Sequence, residues 1–470
     1  MARDQSETSG TPLSEGIAQF AARTRAEDIP GTVRGRALHH MLDATGIALA
    51  STRFDFAHRT LTALRGLGGT GSVPVIGLPA ALGPRDAAIV NGVLCHGLDY
   101  DDTHIAGVIH PTASVLPATL SAGIHAGASG AEMVTAFVIG VEVAARLGTA
   151  ARGGFHQVGF HPTGMIGVFG CAVGAGRLMG LNEAQLAQAQ GIALSMASGS
   201  LEFLADGAWT KRMHPGWAAA AGITAAAMAR EGFVGATRPY EGRFGLFNAY
   251  LGTEADRADL PAATAGLGET WELMNTAIKP FPACHFTHGC IDAALALHRD
   301  GIDPHDITAV EALVPAEVVK IVCEPVAAKM RPANGYDAQF SIQYLVASTL
   351  IRGRFGLPEL EDAALSDPEV LALARKVNWR EDPDSPFPKA YSGEVVVHLG
   401  RGVTLRHREQ INRGAADRPL TNAEIVEKFR DNAATAVSAD AATRIERAFL
   451  DLDGDTPVAD AMRALARPAA

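Results

Sequence analysis

Aromatic side chains are scarce in this sequence, 6% of residues against 47% hydrophobic in all. The apolar weight therefore rests on alanine and small aliphatics, which favours closely packed helices over aromatic-rich sheets. Basic charge is also short: 40 Lys and Arg face 51 Asp and Glu, a formal net charge of −11. No basic patch stands out, which argues against nucleic acid as a partner. A small anion is not excluded, since a few local cations suffice to hold one. The five cysteines (Cys95, Cys171, Cys284, Cys290, Cys323) are scattered, with no C-x-x-C pair. An odd, dispersed count suits reduced thiols better than a disulfide framework. The zinc motif H-E-x-x-H, the Gly-x-Ser-x-Gly elbow and a glycine-rich nucleotide loop after a strand are all missing. No apolar segment opens the chain, and the longest uncharged runs, such as 162–176, fall short of the ~20 residues of a membrane span. These absences lead to the expectation of a soluble, cytoplasmic protein with no membrane partner.

What is present reads as mainly α. At 470 residues the chain is too long for one simple core, so two domains are expected. Residues 1–12 are small and polar and read as disordered. Helical patterns follow from Ser14, over 33–49, and from Pro84, a proline at the usual first-turn position. Glu132 to Leu147 is apolar nearly all round apart from Thr135 and a Glu142/Arg146 pair, and reads as a central helix. Gly164, Gly167, Gly170 and Gly174 recur along a helix over 162–179, making a smooth face for close backbone approach. Helices are expected over 183–199 and from Pro215 to 232. Residues 307–323 and 393–408 read as strands, with helical patterns at 285–298, 338–352 and 367–377 between them. Thr421 and Glu424 form a capping box that resumes the helices. The expected organisation is a large all-helical domain, 13–267 with 411–470, and a smaller α+β lid domain, 268–410.

Chemistry-bearing residues concentrate in 96–112, where Asp99, Asp101, Asp102, Thr103, His96, His104 and His110 lie between two apolar segments. Burying such a cluster costs free energy unless its members pair, and a fold tolerates it where acids, bases and fixed donors are needed together. The plainer reading is a polar loop with satisfied hydrogen bonds. His161 precedes a helix, either as a capping residue or beside an anion held by the helix N-terminus. Lys211, Arg212 and His214 again precede an expected helix; a solvated face is the ordinary explanation. Lys279, His285 and His288 sit in a proline-bounded segment, and Tyr344 lies on a mostly apolar helix, where a core tyrosine is the default. A divalent ion on Asp99, Asp101, Asp102 and His110 is compatible with the residue types, but none is expected.

At this point the chain resembles the MmgE/PrpD family. The likeness covers nearly everything from residue 14, in Asp86-Ala-Ala-Ile-Val-Asn-Gly92, His96-Gly-Leu-Asp-Tyr-Asp-Asp-Thr103, His110-Pro, Gly159-Phe-His-Pro, Lys211-Arg-Met-His-Pro-Gly-Trp, Lys279-Pro-Phe-Pro-Ala-Cys, Phe340-Ser-Ile-Gln-Tyr344 and Lys428-Phe-Arg-Asp. The resemblance implies a homodimer, no required organic cofactor or metal, and a di- or tricarboxylate substrate. It implies a catalytic set of Asp99, Thr103, His110, His161, Lys211 and Tyr344, with a further histidine, either His285 or His288; His104, Arg212, His214 and Lys279 join as candidate substrate-binding residues by residue type. The loop between Thr103 and His110 is one residue longer than the family's decarboxylase pattern.

The residue types suit this chemistry. Polycarboxylates need cationic or N–H anchors, for which Lys211, Arg212 and Lys279 are candidates. Dehydration needs a base and an acid, decarboxylation an acid that protonates carbon, and epimerisation both on opposite faces of one carbon; histidine serves each near neutral pH. His110 and His161 are the expected proton-transfer pair, with Tyr344 as supporting donor. The leading expectation is a cofactor-independent lyase. The runner-up is an epimerase of an amino- or imino-dicarboxylate such as iminodisuccinate, and the alternative of another class is a non-catalytic carboxylate-binding protein.

Overall fold

The computed structural model describes residues 10–387, 389–400 and 402–465, without the side chain of Asp206. The first nine residues of the segment read as disordered lie outside the described residues. The chain divides into two compact units, one running to Thr276 and resuming at Asn422, the other Ala277–Thr421. The divisions fall about ten residues later than the 268–410 segment expected from composition.

The larger unit is almost entirely helical. Its helices are α1 (Leu13–Arg23), α2 (Gly31–Ser51), α3 (Asp55–Gly68), α4 (Pro84–Cys95), α5 (Pro111–Ala126), α6 (Gly130–Ala150), the single turn α7 (Gly154–Gln157), α8 (Pro162–Leu178), α9 (Glu183–Ala193), the single turn α10 (Phe203–Asp206) and α11 (Thr210–Arg230). Helices Leu246–Tyr250, Asn422–Ala434, Ala439–Leu450 and Val458–Ala461 complete the described α-helices of this unit. Helix α6 starts at a capping box in which Ser129 Oγ accepts from the Glu132 N–H. By length and composition α6 could cross a membrane, yet it is 94% buried among the other helices.

Small residues let these helices cross at backbone contact. A Cβ on Gly170 of α8 would lie 2.4 Å from the Gly140 carbonyl of α6, and one on Gly92 of α4 would lie 2.4 Å from Gly216 Cα of α11. No other residue fits either crossing without moving a helix. These two contacts set the α6–α8 and α4–α11 crossings, and the polar cluster lies at the ends of α4, α5, α8 and α11. Helix α11 begins at Thr210 and carries Pro215 in its interior. Pro215 therefore does not start the helix, and His214 lies within it rather than before an N-terminus. The missing Pro215 N–H costs one helix bond, at the point where Gly216 packs on the Ile89 carbonyl of α4. Helix α9 stops at Ala193 and tightens into a 3₁₀ turn over Leu194–Met196, short of the expected 199.

The smaller unit holds a four-stranded sheet in the order Val377–Glu381, Ile307–Val314, Gly393–Leu399, Thr404–Glu409. The first pair is parallel and the others antiparallel. Strand Ile307–Val314 ends before Pro315, so the expected strand to 323 is cut short, and the chain turns at Ala316–Val318. The helix expected over 367–377 ends at Ala374, and residues 377–381 form the parallel edge strand after Pro368–Ala374. Helices His288–Arg299 and Ile342–Arg352 pack in the same core as the sheet. Ser341 caps the second through the Tyr344 N–H.

Candidate active site

His110 and His161 occupy equivalent places. Each is the N-cap residue of a helix that begins with proline, α5 at Pro111 and α8 at Pro162, and neither side chain makes a capping hydrogen bond. The proline needs no N–H partner, so both imidazoles are available for other contacts. Their ring centroids are 6.0 Å apart, and His96, at the end of α4, lies 4.9 Å from His110 and 5.6 Å from His161. His214, from the first turns of α11, brings its Nδ1 to 3.0 Å from His161 Nδ1.

Carboxylates fix the orientation of these rings. His96 Nδ1 donates to Asp101, 2.8 Å from Oδ2. His110 Nδ1 donates to the Asp102 main-chain carbonyl at 2.7 Å, which makes Nε2 the basic nitrogen of the neutral ring. Asp102 is itself held: its Oδ2 accepts from His40 Nδ1 at 2.7 Å and from Thr112 Oγ1 at 2.5 Å. Asp99 has φ +51, an uncommon conformation for a residue with a Cβ, and its Oδ2 meets Lys211 Nζ at 2.8 Å. One carboxylate oxygen each of Asp99 and Asp101 lies within 4.8 Å of a His110 ring nitrogen. Lys211, Asp99, His110, His96, His161 and His214 thus form one continuous polar network within the larger unit.

Burial, followed by the charges of His96, Lys211, His110 and His214, pushes His161 well below the ordinary imidazole range. Burial, then His96 and Lys211, lowers His214 to about 4. Both rings are neutral near pH 7.

Several residues singled out in the sequence take other roles. His104 accepts from the Gly107 N–H at Nδ1 and donates from Nε2 to Glu272 at 2.9 Å, so both nitrogens are engaged within the fold. Arg212 donates to the Gly97 carbonyl at 2.8 Å and lies 4.9 Å over the Phe56 ring, so its guanidinium braces the loop after α4. Thr103 Oγ1 is 3.4 Å from His110 Nδ1, at the outer limit of a hydrogen bond.

In the smaller unit, Tyr344 is fully buried and its hydroxyl donates to the Glu359 carbonyl at 2.6 Å. Burial pushes its phenol up to about 12. Tyr344 thus sits as a core tyrosine whose hydroxyl is engaged within the smaller unit. His288 donates from Nε2 to the Ala283 carbonyl at 3.1 Å, while His285 Nε2 accepts from Asn412 at 2.7 Å. Lys279 is buried in the same unit.

Sequence reasoning gave His96 no role and Asp101 only compatibility with an ion, missed His40 and Asp43, and carried Lys428 only within a motif. Lys428 bridges Asp43, at 2.8 Å, to the Tyr100 carbonyl, at 2.9 Å, tying the C-terminal helices beneath the cluster. The Lys428-Phe-Arg-Asp motif was the available signal. A groove of about 940 Å³ beside Arg85, Asp86, His125, Met179, Met228 and Phe233 contains none of the clustered residues. The chemistry follows the charge cluster and not this concavity.

Comparison with known proteins identifies relatives along nearly the whole chain. The sequence model of the MmgE/PrpD N-terminal domain matches residues 15–258, and that of the MmgE/PrpD C-terminal domain matches 281–453. The chain is 30% identical to mouse cis-aconitate decarboxylase, over 91% of this chain and 88% of that protein. It is 26% identical to the cis-aconitate decarboxylase-like protein oryM of Aspergillus oryzae, over 96% and 98%. With 2-methylcitrate dehydratase of Escherichia coli K12 it shares 24%, over 87% and 88%.

Proposed function

Because the chain belongs to the MmgE/PrpD family, we propose that it is a lyase acting on a small di- or tricarboxylate, with decarboxylation of a cis-aconitate-like substrate as the reaction. The observation that carries this reading is the network in which Lys211 and Asp99 adjoin His110, His96 and His161. The greater likeness to decarboxylases than to dehydratases favours loss of CO₂ over loss of water.

In this mechanism Lys211 anchors one substrate carboxylate and stabilises negative charge as it develops on the carbon skeleton. The C–C bond to a second carboxylate breaks, its electron pair moves into the skeleton, and a proton is delivered to carbon as CO₂ departs. His110 is assigned that delivery, because the Asp101 carboxylate lies 3.8 Å from its Nδ1, where a positive charge on the ring is offset. His161, held neutral, is a hydrogen-bond partner for substrate and the acceptor wherever a C–H bond must break, as in dehydration.

The test is turnover of cis-aconitate by His110→Ala and His161→Ala, checked by thermal melting for retention of fold. Both variants are expected to melt near the parent and to lose turnover by about 10²-fold or more. Retained turnover in either overturns its assigned role.

A further inference from the structure

His96 has no part in the proton transfer described above, yet it is among the most carefully held side chains of the cluster. Its ring is 1% exposed, Nδ1 is occupied by Asp101, and Nε2 is buried with no hydrogen-bond partner among the described residues. Burying an unpaired acceptor costs about 1–3 kcal/mol, so the lone pair calls for a ligand.

We propose that His96, His110 and His161 form a binding site for one borderline-soft divalent cation, Zn²⁺ by preference, whose occupation blocks the proposed turnover. One ring nitrogen of each histidine lies within 4.8 Å of one on each of the others. Tetrahedral zinc with bonds of about 2.0–2.1 Å requires about 3.4 Å between such nitrogens, a closure of roughly an ångström that small ring rotations supply. The surroundings suit a metal-binding imidazole. The Asp101 carboxylate stands behind His96 and the Asp102 carbonyl behind His110, the arrangement that fixes the tautomer and raises ligand basicity. With its proton on Nδ1, facing His214 Nδ1, His161 also presents Nε2.

The donor set selects the metal. Three imidazoles suit Zn²⁺, Co²⁺, Ni²⁺ or Cu²⁺ and not Mg²⁺ or Ca²⁺. Asp99 is engaged by Lys211, which neutralises the nearest fixed cation. Three nitrogens leave a fourth position for water or a carboxylate oxygen. Binding stands on the geometry alone. The block on turnover rests on the proton-transfer reading, because the metal would occupy lone pairs of His110 and His161.

The test is a Co²⁺ titration of the metal-stripped protein, followed by visible absorption. The expected result is a tetrahedral cobalt spectrum saturating at about one equivalent per chain, abolished by Zn²⁺ and unaffected by Mg²⁺. His96→Gln and His161→Gln should remove it, and Asp101→Asn should weaken binding by about 10–100-fold. His125→Gln, at an exposed histidine of the same unit, should leave it intact. Proton NMR of the wild-type cobalt protein gives a second readout, since three bound imidazoles each show one hyperfine-shifted ring N–H. No tetrahedral spectrum, a spectrum that survives His96→Gln, or fewer than three shifted N–H signals would overturn the proposal. Absorbance and NMR read binding without turnover, so failure here leaves the lyase reading intact, and failure of that reading leaves the titration interpretable.

Discussion

His161 and His214 face each other through Nδ1 atoms 3.0 Å apart, so one proton is shared between them and each ring sets the tautomer of the other. His214 is thereby a positioning residue for His161. Replacing it with Phe keeps the ring volume and removes the partner. His214→Phe is expected to lower kcat by about 10²-fold with little change in KM, the signature of a group that acts in the transition state. Steady-state kinetics decide it: a rise in KM alone would assign His214 to substrate binding.

Lys211 and Asp99 are both largely buried, with side chains 16% and 11% exposed. Removing one partner strands the other's charge, which costs about 3–5 kcal/mol in a fully buried pair and less here. Lys211→Met is therefore expected to lose both stability and activity. The double variant Lys211→Met/Asp99→Asn should recover most of the stability and none of the activity. Urea denaturation beside a turnover assay separates the two effects.

Glu272 holds the hairpin that carries His104. Its carboxyl is lowered to about 2, first by the hydrogen bond from His104 and then by Asn275 and the Arg146 charge, against the opposing effect of burial. An unfolded glutamate titrates near about 4.3. The stabilisation is therefore complete above that value and disappears as pH falls through about 2. Because this carboxylate is partly accessible, solvent screening holds the contribution to about 1 kcal/mol. Glu272→Gln should lower Tm at neutral pH and flatten the acid limb of the Tm–pH curve. An unchanged acid limb would show that Glu272 does not anchor the hairpin.

Tyr344 donates its hydroxyl to the Glu359 carbonyl inside the smaller unit's core. Tyr344→Phe is expected to cost about 1 kcal/mol of stability, the worth of one buried hydrogen bond, and to leave turnover within twofold. A loss beyond tenfold would return the hydroxyl to the chemistry.

The sequence made His110 and His161 legible because each stands beside a helix-starting proline, a local signal that needs no tertiary information. Lys211 was legible from its motif, but the role of its neighbours was not. Pro215 resembles a helix start, yet α11 runs through it because tight packing of Gly216 on α4 overrides the local preference. His104 looked like a site residue because its partner, Glu272, lies 168 positions away. The depth of Tyr344 depends on a hydrogen bond to a 3₁₀ turn, Leu357–Leu360, that no periodicity announced. Strand 377–381 was hidden for a similar reason: it is short, and only its pairing with 310–314 defines it.

Proton NMR of the purified protein in D₂O with cis-aconitate, citrate and 2-methylcitrate as separate substrates tests the central claim most directly. The account predicts new vinyl signals from cis-aconitate, one deuterium incorporated at carbon and one equivalent of CO₂ released. Loss of water from citrate or 2-methylcitrate with every carboxylate retained would contradict decarboxylation. Exchange of a C–H proton without loss of any atom would contradict a lyase altogether.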